Sequence, residues 1–337
     1  MAGIDLNTFV FDYDLTFVML LMNADGTIYH TYGGRDWRDP QSHLSQASFR
    51  AALEAGRKTH AAYKPSKKRV SKPAPLTVEM LPAMKRRLAR GDKPTCYHCH
   101  TVNDMRTEEA MAQGTWTLDQ AWRWPDPIQI GITLEKDRPT VIASVEPGSL
   151  AADGHLKPGD RIVQVHHERV ATFGDIQRAL RTIPNDKRSV SIIVYHRDSK
   201  GPEERGVNLF VDIDWQRPTP RVFAWRASKW PLSPKPGFGG RQLDEQALKA
   251  AGLPPDSFAF KVGYLVTWGP NAHTGRNAAK AGIRKGDIVY EVAGKSDFES
   301  VEHFHAWFRL TQKAGTTIEI KRIGPLARSV VRLPVVD

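Results

Sequence analysis

The only two cysteines of the chain stand in one motif, Cys96-Tyr97-His98-Cys99-His100. Three chemistries use such a set. Covalent attachment of haem c takes two thiols at this spacing, so Cys96 and Cys99 would carry the thioethers and His100 the axial imidazole on iron. A dithiol/disulfide couple uses the same thiols, one of them as the low-pKa nucleophile. Zinc wants four converging N or S ligands; a second CxxC is missing, and His98 and His100 do not readily close one tetrahedron with both thiols. For haem, Met80, Met84, Met105, Met111 and His60 are candidate sixth ligands, each equally readable as a core or surface residue.

The elements around the motif bear on the choice. Met80 to Leu88 reads as a helix ending at Gly91, Pro94 precedes the motif, and Met105 to Met111 reads as the next helix. A thioredoxin-type pair would sit between a strand and a helix start; helix, loop, CxxCH and helix is how small cytochromes begin. Residues 76–125 alone are few for a self-sufficient core, so Trp116, Trp122 and Trp124 are expected to help cover a cofactor.

An internal repeat dominates the remainder. Residues 151–165, AADGHLKPGDRIVQV, align without a gap on residues 278–292, AAKAGIRKGDIVYEV. Each copy predicts a short helix, then a tight turn at Gly159-Asp160 or Gly286-Asp287, then a strand, Ile162 to Val165 or Ile288 to Val292. Strands are predicted upstream at Ile128 to Leu134, Thr140 to Val145 and Phe258 to Val266. Helices follow Thr172 and Ser300, and closing strands run over Val190 to Tyr195 and Thr317 to Ile320. Both copies resemble PDZ domains of the bacterial type that trails periplasmic proteases. The resemblance implies that an extended peptide adds as a strand beside a groove helix, its carboxylate held by a glycine loop. In the first copy that loop would be 128–132, giving Ile130, Gly131 and Ile132, faced by Ile176 and Leu180. In the second it would be 260–264, giving Val262 and Gly263, faced by Val301, Phe304 and Phe308. The plainer reading of each apolar side chain is core.

A serine protease is excluded. About 125 residues precede the first copy, against the roughly 200 that such a domain needs, and the sequence lacks a Gly-x-Ser-Gly turn for a nucleophile.

Near the start, Leu15 to Met22 reads as a strand, Asn23-Ala24-Asp25-Gly26 as a hairpin turn, Thr27 to His30 as a second strand, and Leu44 to Ala62 as an amphipathic helix. This order resembles the C-terminal half of a thioredoxin fold, with Leu15 where the family's cis-proline would stand. Together with the stretches FDYDLTFVMLLMNADGTIYHTYGGRD, CYHCHTVND and AWRASKWPL, the chain resembles a bacterial thioredoxin/PDZ (seleno)protein family. That family's redox cysteine or selenocysteine lies upstream of these matches. The resemblance implies an N-terminally truncated chain of the periplasm or cell envelope, although no signal peptide is visible.

Charge adds little to this. Of a net charge of +11, most lies between Arg57 and Lys93, where 12 Lys/Arg face only Glu79 and Asp92. Its segment KPSKKRVSKPAP, residues 64–75, has three prolines and no aromatic, so it reads as a solvated linker rather than a nucleic-acid surface. Weak contact with anionic surfaces through residues 57–93 is the secondary expectation.

The expected fold class is α+β and multidomain: a partial thioredoxin-like ββα segment at 1–63, a basic linker at 64–94 and a CxxCH segment at 95–125. Two PDZ domains, small partly open β-barrels with capping helices, follow at 126–214 and 257–337, separated by a Trp/Pro-rich segment at 215–256. The expected function is capture of protein C-termini or extended peptides, without nucleic acid, coupled to a CxxCH redox centre carrying haem c. A non-enzymatic scaffold and a thiol-disulfide oxidoreductase with PDZ-delivered substrates are the alternatives.

Overall fold

The computed structural model describes residues 1–337 apart from 65–72, 93–96, 122, 185, 199–200, 213–214, 218 and 326. The chain divides into two compact units, Met1–Pro218 and Thr219–Asp337.

The first unit opens with an antiparallel hairpin, β1 (Val18–Met22) on β2 (Ile28–Gly33), in which Leu21 stands opposite His30. The Asp-Gly turn forms as its sequence predicts: Gly26 takes φ 89° and its N–H donates to the Asn23 carbonyl at 3.0 Å. Helix α1 (Gln46–Ala62) starts two residues later than its apolar stripe suggests. The start is set by a capping box, in which the Ser45 and Ser48 hydroxyls each accept from the other residue's N–H at 3.0 Å.

The stretch expected to be linker is partly a folded element. Helix α2 (Pro82–Ala89) and helix α3 (Thr101–Ala112) close a small core of Leu6, Phe11, Tyr13, Val78, Leu81, Met84, Val102 and Met105. The N-terminal residues are tied in by Leu6 N–H donating to the Leu76 carbonyl at 2.6 Å and by the Met1 ammonium on the Tyr97 carbonyl at 2.9 Å. Arg86 and Arg87 pair with Glu109 and Glu108 at 2.8 and 2.5 Å, so part of the basic run is neutralised within the helical cluster.

Then come β3 (Ile132–Leu134), β4 (Ile142–Val145), α4 (Leu150–Asp153), β5 (Arg161–Val165), β6 (Glu168–Arg169), α5 (Phe173–Thr182), β7 (Ser189–Asp198) and β8 (Gly201–Phe210). β3 pairs with β4, and β6-β5-β7-β8 form a second sheet. The predicted strand at Ile128 begins instead as a 3-10 turn, Pro127–Ile130. Asp126 caps it, accepting from Ile128 N–H at 3.1 Å.

The second unit contains α6 (Pro220–Phe223), β9 (Phe238–Gln242), α7 (Glu245–Ala250), β10 (Phe260–Leu265), α8 (Ala272–Ala281), β11 (Ile288–Val292), α9 (Val301–Thr311), β12 (Thr317–Ile323) and β13 (Arg328–Pro334). Its strands lie in the order β13-β12-β11-β10-β9, which puts β9 at an edge.

The repeat seen in the sequence is a repeat of hydrogen bonds. In the first unit Gly159 N–H donates to the Ile142 carbonyl (2.8 Å) and Ile142 N–H to the Asp160 carbonyl (2.9 Å). In the second, Gly286 N–H donates to the Val262 carbonyl (2.8 Å) and Val262 N–H to the Asp287 carbonyl (2.7 Å). Both glycines take positive φ, 90° and 96°. Each buried aspartate then accepts from the backbone N–H three residues back, Lys157 at 3.0 Å and Arg284 at 2.7 Å. Each also meets a cation or histidine from the closing strands: His196 and Arg205 for Asp160, Arg322 for Asp287. A buried carboxylate needs such partners. Among the described residues no helix is long and apolar enough to cross a membrane.

Candidate functional site: two grooves and a CxxCH segment

In the first unit β3 has β4 on one side, and the loop before it turns at Gly131, which takes φ 87°. A Cβ there would come within 2.1 Å of the Ser149 side chain, so only glycine fits. Ile130, Ile132, Ile176 and Leu180 are all at most 1% exposed and belong to one core cluster; their side chains pack inward rather than line an open groove. The loop end of this groove is occupied by the chain itself. The Gln129 amide donates to the Trp215 carbonyl (3.3 Å) and to the Gln216 carbonyl. The Gln216 amide in turn donates to the carbonyls of Leu180 (3.4 Å) and Ile183 (2.7 Å) at the end of α5, and Trp215 joins the same core.

The outer side of α5 is covered by the hairpin. Asp175 accepts from Thr31 N–H (2.8 Å) and Ala171 N–H (3.0 Å) and pairs with His30 Nδ1 (2.7 Å); Thr172 Oγ1 donates to the Thr31 carbonyl (2.6 Å). His43 stacks on Phe173 with ring centroids 3.6 Å apart, and burial pushes its imidazole down to about 4 against the pull of Asp36.

In the second unit the structure moves the loop. Val262 repeats the bonds of Ile142, so β10 corresponds to β4 and β9 to β3. Val262 is fully buried, and Gly263 lies on a strand flanked by β9 and β11, with no free edge for a peptide. By this correspondence the turn that matches the Gly131 loop of the first unit is residues 235–239, immediately before and within β9. Phe304 is fully buried and Val301 packs on the same core, as does Phe308.

The residues of α9 that reach a cavity are instead His305 and Arg309. They line a cavity of about 250 Å³ with Trp230, Lys235, Phe238, Tyr264 and Trp268. Arg309 Nη1 donates to the His305 carbonyl (2.9 Å) and to His305 Nδ1 (3.2 Å), and its guanidinium lies 5.0 Å over the Trp230 ring. Burial, with the charges of Arg309 and Lys229, lowers His305 well below its ordinary range, which leaves it neutral and able to accept. The matching positions of α5, counted from the N-caps Thr172 and Ser300, are Gln177 and Arg181; Arg181 lies over Trp124 at 4.9 Å. An expectation built on apolar residues missed both pairs. The signal was the polar residue one step past each core residue of an amphipathic helix.

At the CxxCH segment, Cys96 lies outside the described residues. Tyr97 and Cys99 pack against the small helical core. His100 is half-exposed, its Nδ1 3.0 Å from Asp104 Oδ2 and its ring parallel to that of His98 at 5.6 Å. Burial raises the Asp104 carboxyl, and His100 opposes the rise. Met84 and Met105 are sealed in the core, Met80 and Met111 are exposed, and His60 Nδ1 is engaged by the Tyr29 hydroxyl at 3.0 Å. A porphyrin needs apolar cover. Cys99 packs on the helical core and His98, His100 and Asp104 form its polar surround, while the other thiol of the motif lies outside the described residues, so no step is derived through haem. Among the described residues no group of three or more His, Cys, Asp or Glu could hold a metal ion.

Comparison with known proteins bears on the first unit. Residues 141–193 match the PDZ domain family. Two proteins, from Brucella suis biovar 1 (strain 1330) and Brucella melitensis biotype 1, both carry the name "Putative zinc metalloprotease". Each is 38% identical to this chain over 72 residues, 21% of this chain and 18% of the relative. The chain thus spans under a fifth of those relatives' length. A solved HtrA-type protease, AlgW with decapeptide, aligns over 43% of this chain and 41% of that chain at 12% identity and a TM-score of 0.24, too low to bear on the fold. The first of the two repeated units is a PDZ domain of the type found beside proteases.

Proposed function

We propose that the chain captures the C-terminal segments of other proteins, with a second PDZ-type unit at residues 219–337 as the open receptor. The PDZ domain implies peptide binding. One contrast carries the assignment to the second unit: the loop end of the first groove holds Trp215 and Gln216, whereas the corresponding end of the second is a cavity between β9 and α9. The edge strand β9 would pair with the incoming backbone, and the turn at residues 235–239 would receive the carboxylate. The closed first groove favours a scaffolding role for that unit. The ββα order at residues 18–62 supports the resemblance to thioredoxin/PDZ proteins and adds no redox group to the reading.

The test is selection from a library of displayed free C-termini, followed by titration of the enriched peptide as acid and as amide. The acid should bind on the order of tenfold more tightly, as a charge-assisted hydrogen bond is worth. Equal binding of the two forms would reject C-terminal capture.

A further inference from the structure

The mouth of the second groove carries more positive charge than a main-chain carboxylate alone requires. Arg309 is 5% exposed, and its buried Nε has no hydrogen-bond partner. Lys235 Nζ has two neutral acceptors, the Pro231 carbonyl at 3.3 Å and Ser233 Oγ at 3.4 Å. Among the described residues neither cation forms an ion pair. The nearby carboxylate on α9, Glu302, is held by Lys229 at 2.7 Å, and Asp337 reaches Lys235 only as a longer-range attraction. Burial and the charge of Arg309 lower Lys235 to about 8, and burial lowers Arg309 to about 10. Two cations are thus held in one aromatic-walled cavity whose volume admits a single side chain. An aliphatic terminal residue would bring one main-chain carboxylate for two cations and bury Arg309 further without a counter-charge, which is costly. A carboxylate would satisfy the free Nε and relieve the repulsion.

We propose that this cavity selects peptides whose last residue is Asp or Glu, the side-chain carboxylate meeting Arg309 and the main-chain carboxylate meeting Lys235 beside the turn at residues 235–239. The selection rests on the reading of the second unit as a C-terminal peptide receptor.

The test titrates the full chain with four fluorescein-labelled peptides of common sequence, ending in Glu, Gln, Leu and Glu-amide, read by anisotropy. The Glu acid should bind about tenfold or more tightly than the Gln and Leu acids, and the amide about tenfold more weakly than the acid. In Arg309→Lys the ratio of Glu to Gln should fall to within about threefold, since a point charge cannot replace the planar fork. Should that buried substitution unfold the unit, Lys235→Met remains, and must weaken the Glu acid about tenfold while weakening the amide far less. A Leu acid that binds as tightly as the Glu acid overturns the acidic selection and leaves terminal capture standing, provided the amide is still discriminated. An amide that binds as well as the acid, or no binding by any of the four, overturns both.

Discussion

His30 on β2 and Asp175 on α5 meet at 2.7 Å although 145 residues separate them, and both are buried. His30 Nε2 is held in turn by Thr59 Oγ1 of α1 at 2.9 Å, and the second Asp175 oxygen takes Thr31 N–H. Two elements of the N-terminal segment, β2 and α1, thus share one buried polar cluster with the PDZ groove helix.

Replacing Asp175 with Asn keeps the shape and removes the charge. It should cost about 3 kcal/mol, as breaking a buried, hydrogen-bonded pair does. Urea melts should show the first unit losing stability in one transition, hairpin and PDZ domain together. A loss confined to either part would contradict a shared cluster.

His43 makes the first unit acid-sensitive. Its imidazole titrates at about 4 in the folded chain and near 6.5 when unfolded, so between those values the unfolded state binds more protons. Stability is therefore full above about pH 6.5 and falls by up to roughly 3 kcal/mol as pH drops towards 4. Asp36, whose carboxyl is lowered by Arg38 against burial, adds a loss in the same direction at lower pH. The other charges near His43, Arg38 and Lys136, oppose its protonation. His43→Phe keeps the stack on Phe173 and should flatten the urea midpoint between about pH 7 and 4.5; an unchanged slope would point to another group.

Gln129→Ala removes the amide that holds Trp215 and Gln216 over the first groove. In a Lys235→Met background, where the second cavity is weakened about tenfold, it should raise the binding stoichiometry by a second site per chain, at a cost of about 1 kcal/mol in stability. Unaltered stability with no binding gained would mean that the segment does not gate the groove.

Expressed behind a signal sequence with a c-type maturation system, the chain should retain no covalent Soret band if the packing of Cys99 on the helical core persists in solution. A retained band lost in Cys99→Ala would reinstate haem c at Cys96, Cys99 and His100.

The Gly-Asp turns were legible because a local code writes them: glycine for positive φ and aspartate for the backbone N–H three residues back. The hairpin and the two N-capped helices were legible for the same reason. The second groove was not. Its edge strand reads Phe-Gly-Gly-Arg-Gln, poor in β-formers, and a helical excursion through α7 separates it from its partner β10. A better strand sequence at Phe260 therefore attracted the assignment. The packing of Leu6 and Phe11 on α2 and α3 left no periodic trace, because it joins residues far apart in the chain.

Within one chain the two repeated units separate what a scaffold demands from what a ligand demands. The bonds of Gly159 and Ile142 recur unchanged at Gly286 and Val262, while Gln177 and Arg181 give way to His305 and Arg309. Framework and mouth are written in different residues, so either can be altered without rewriting the other. Exchanging that one pair between α5 and α9 is accordingly a change of address, not of architecture.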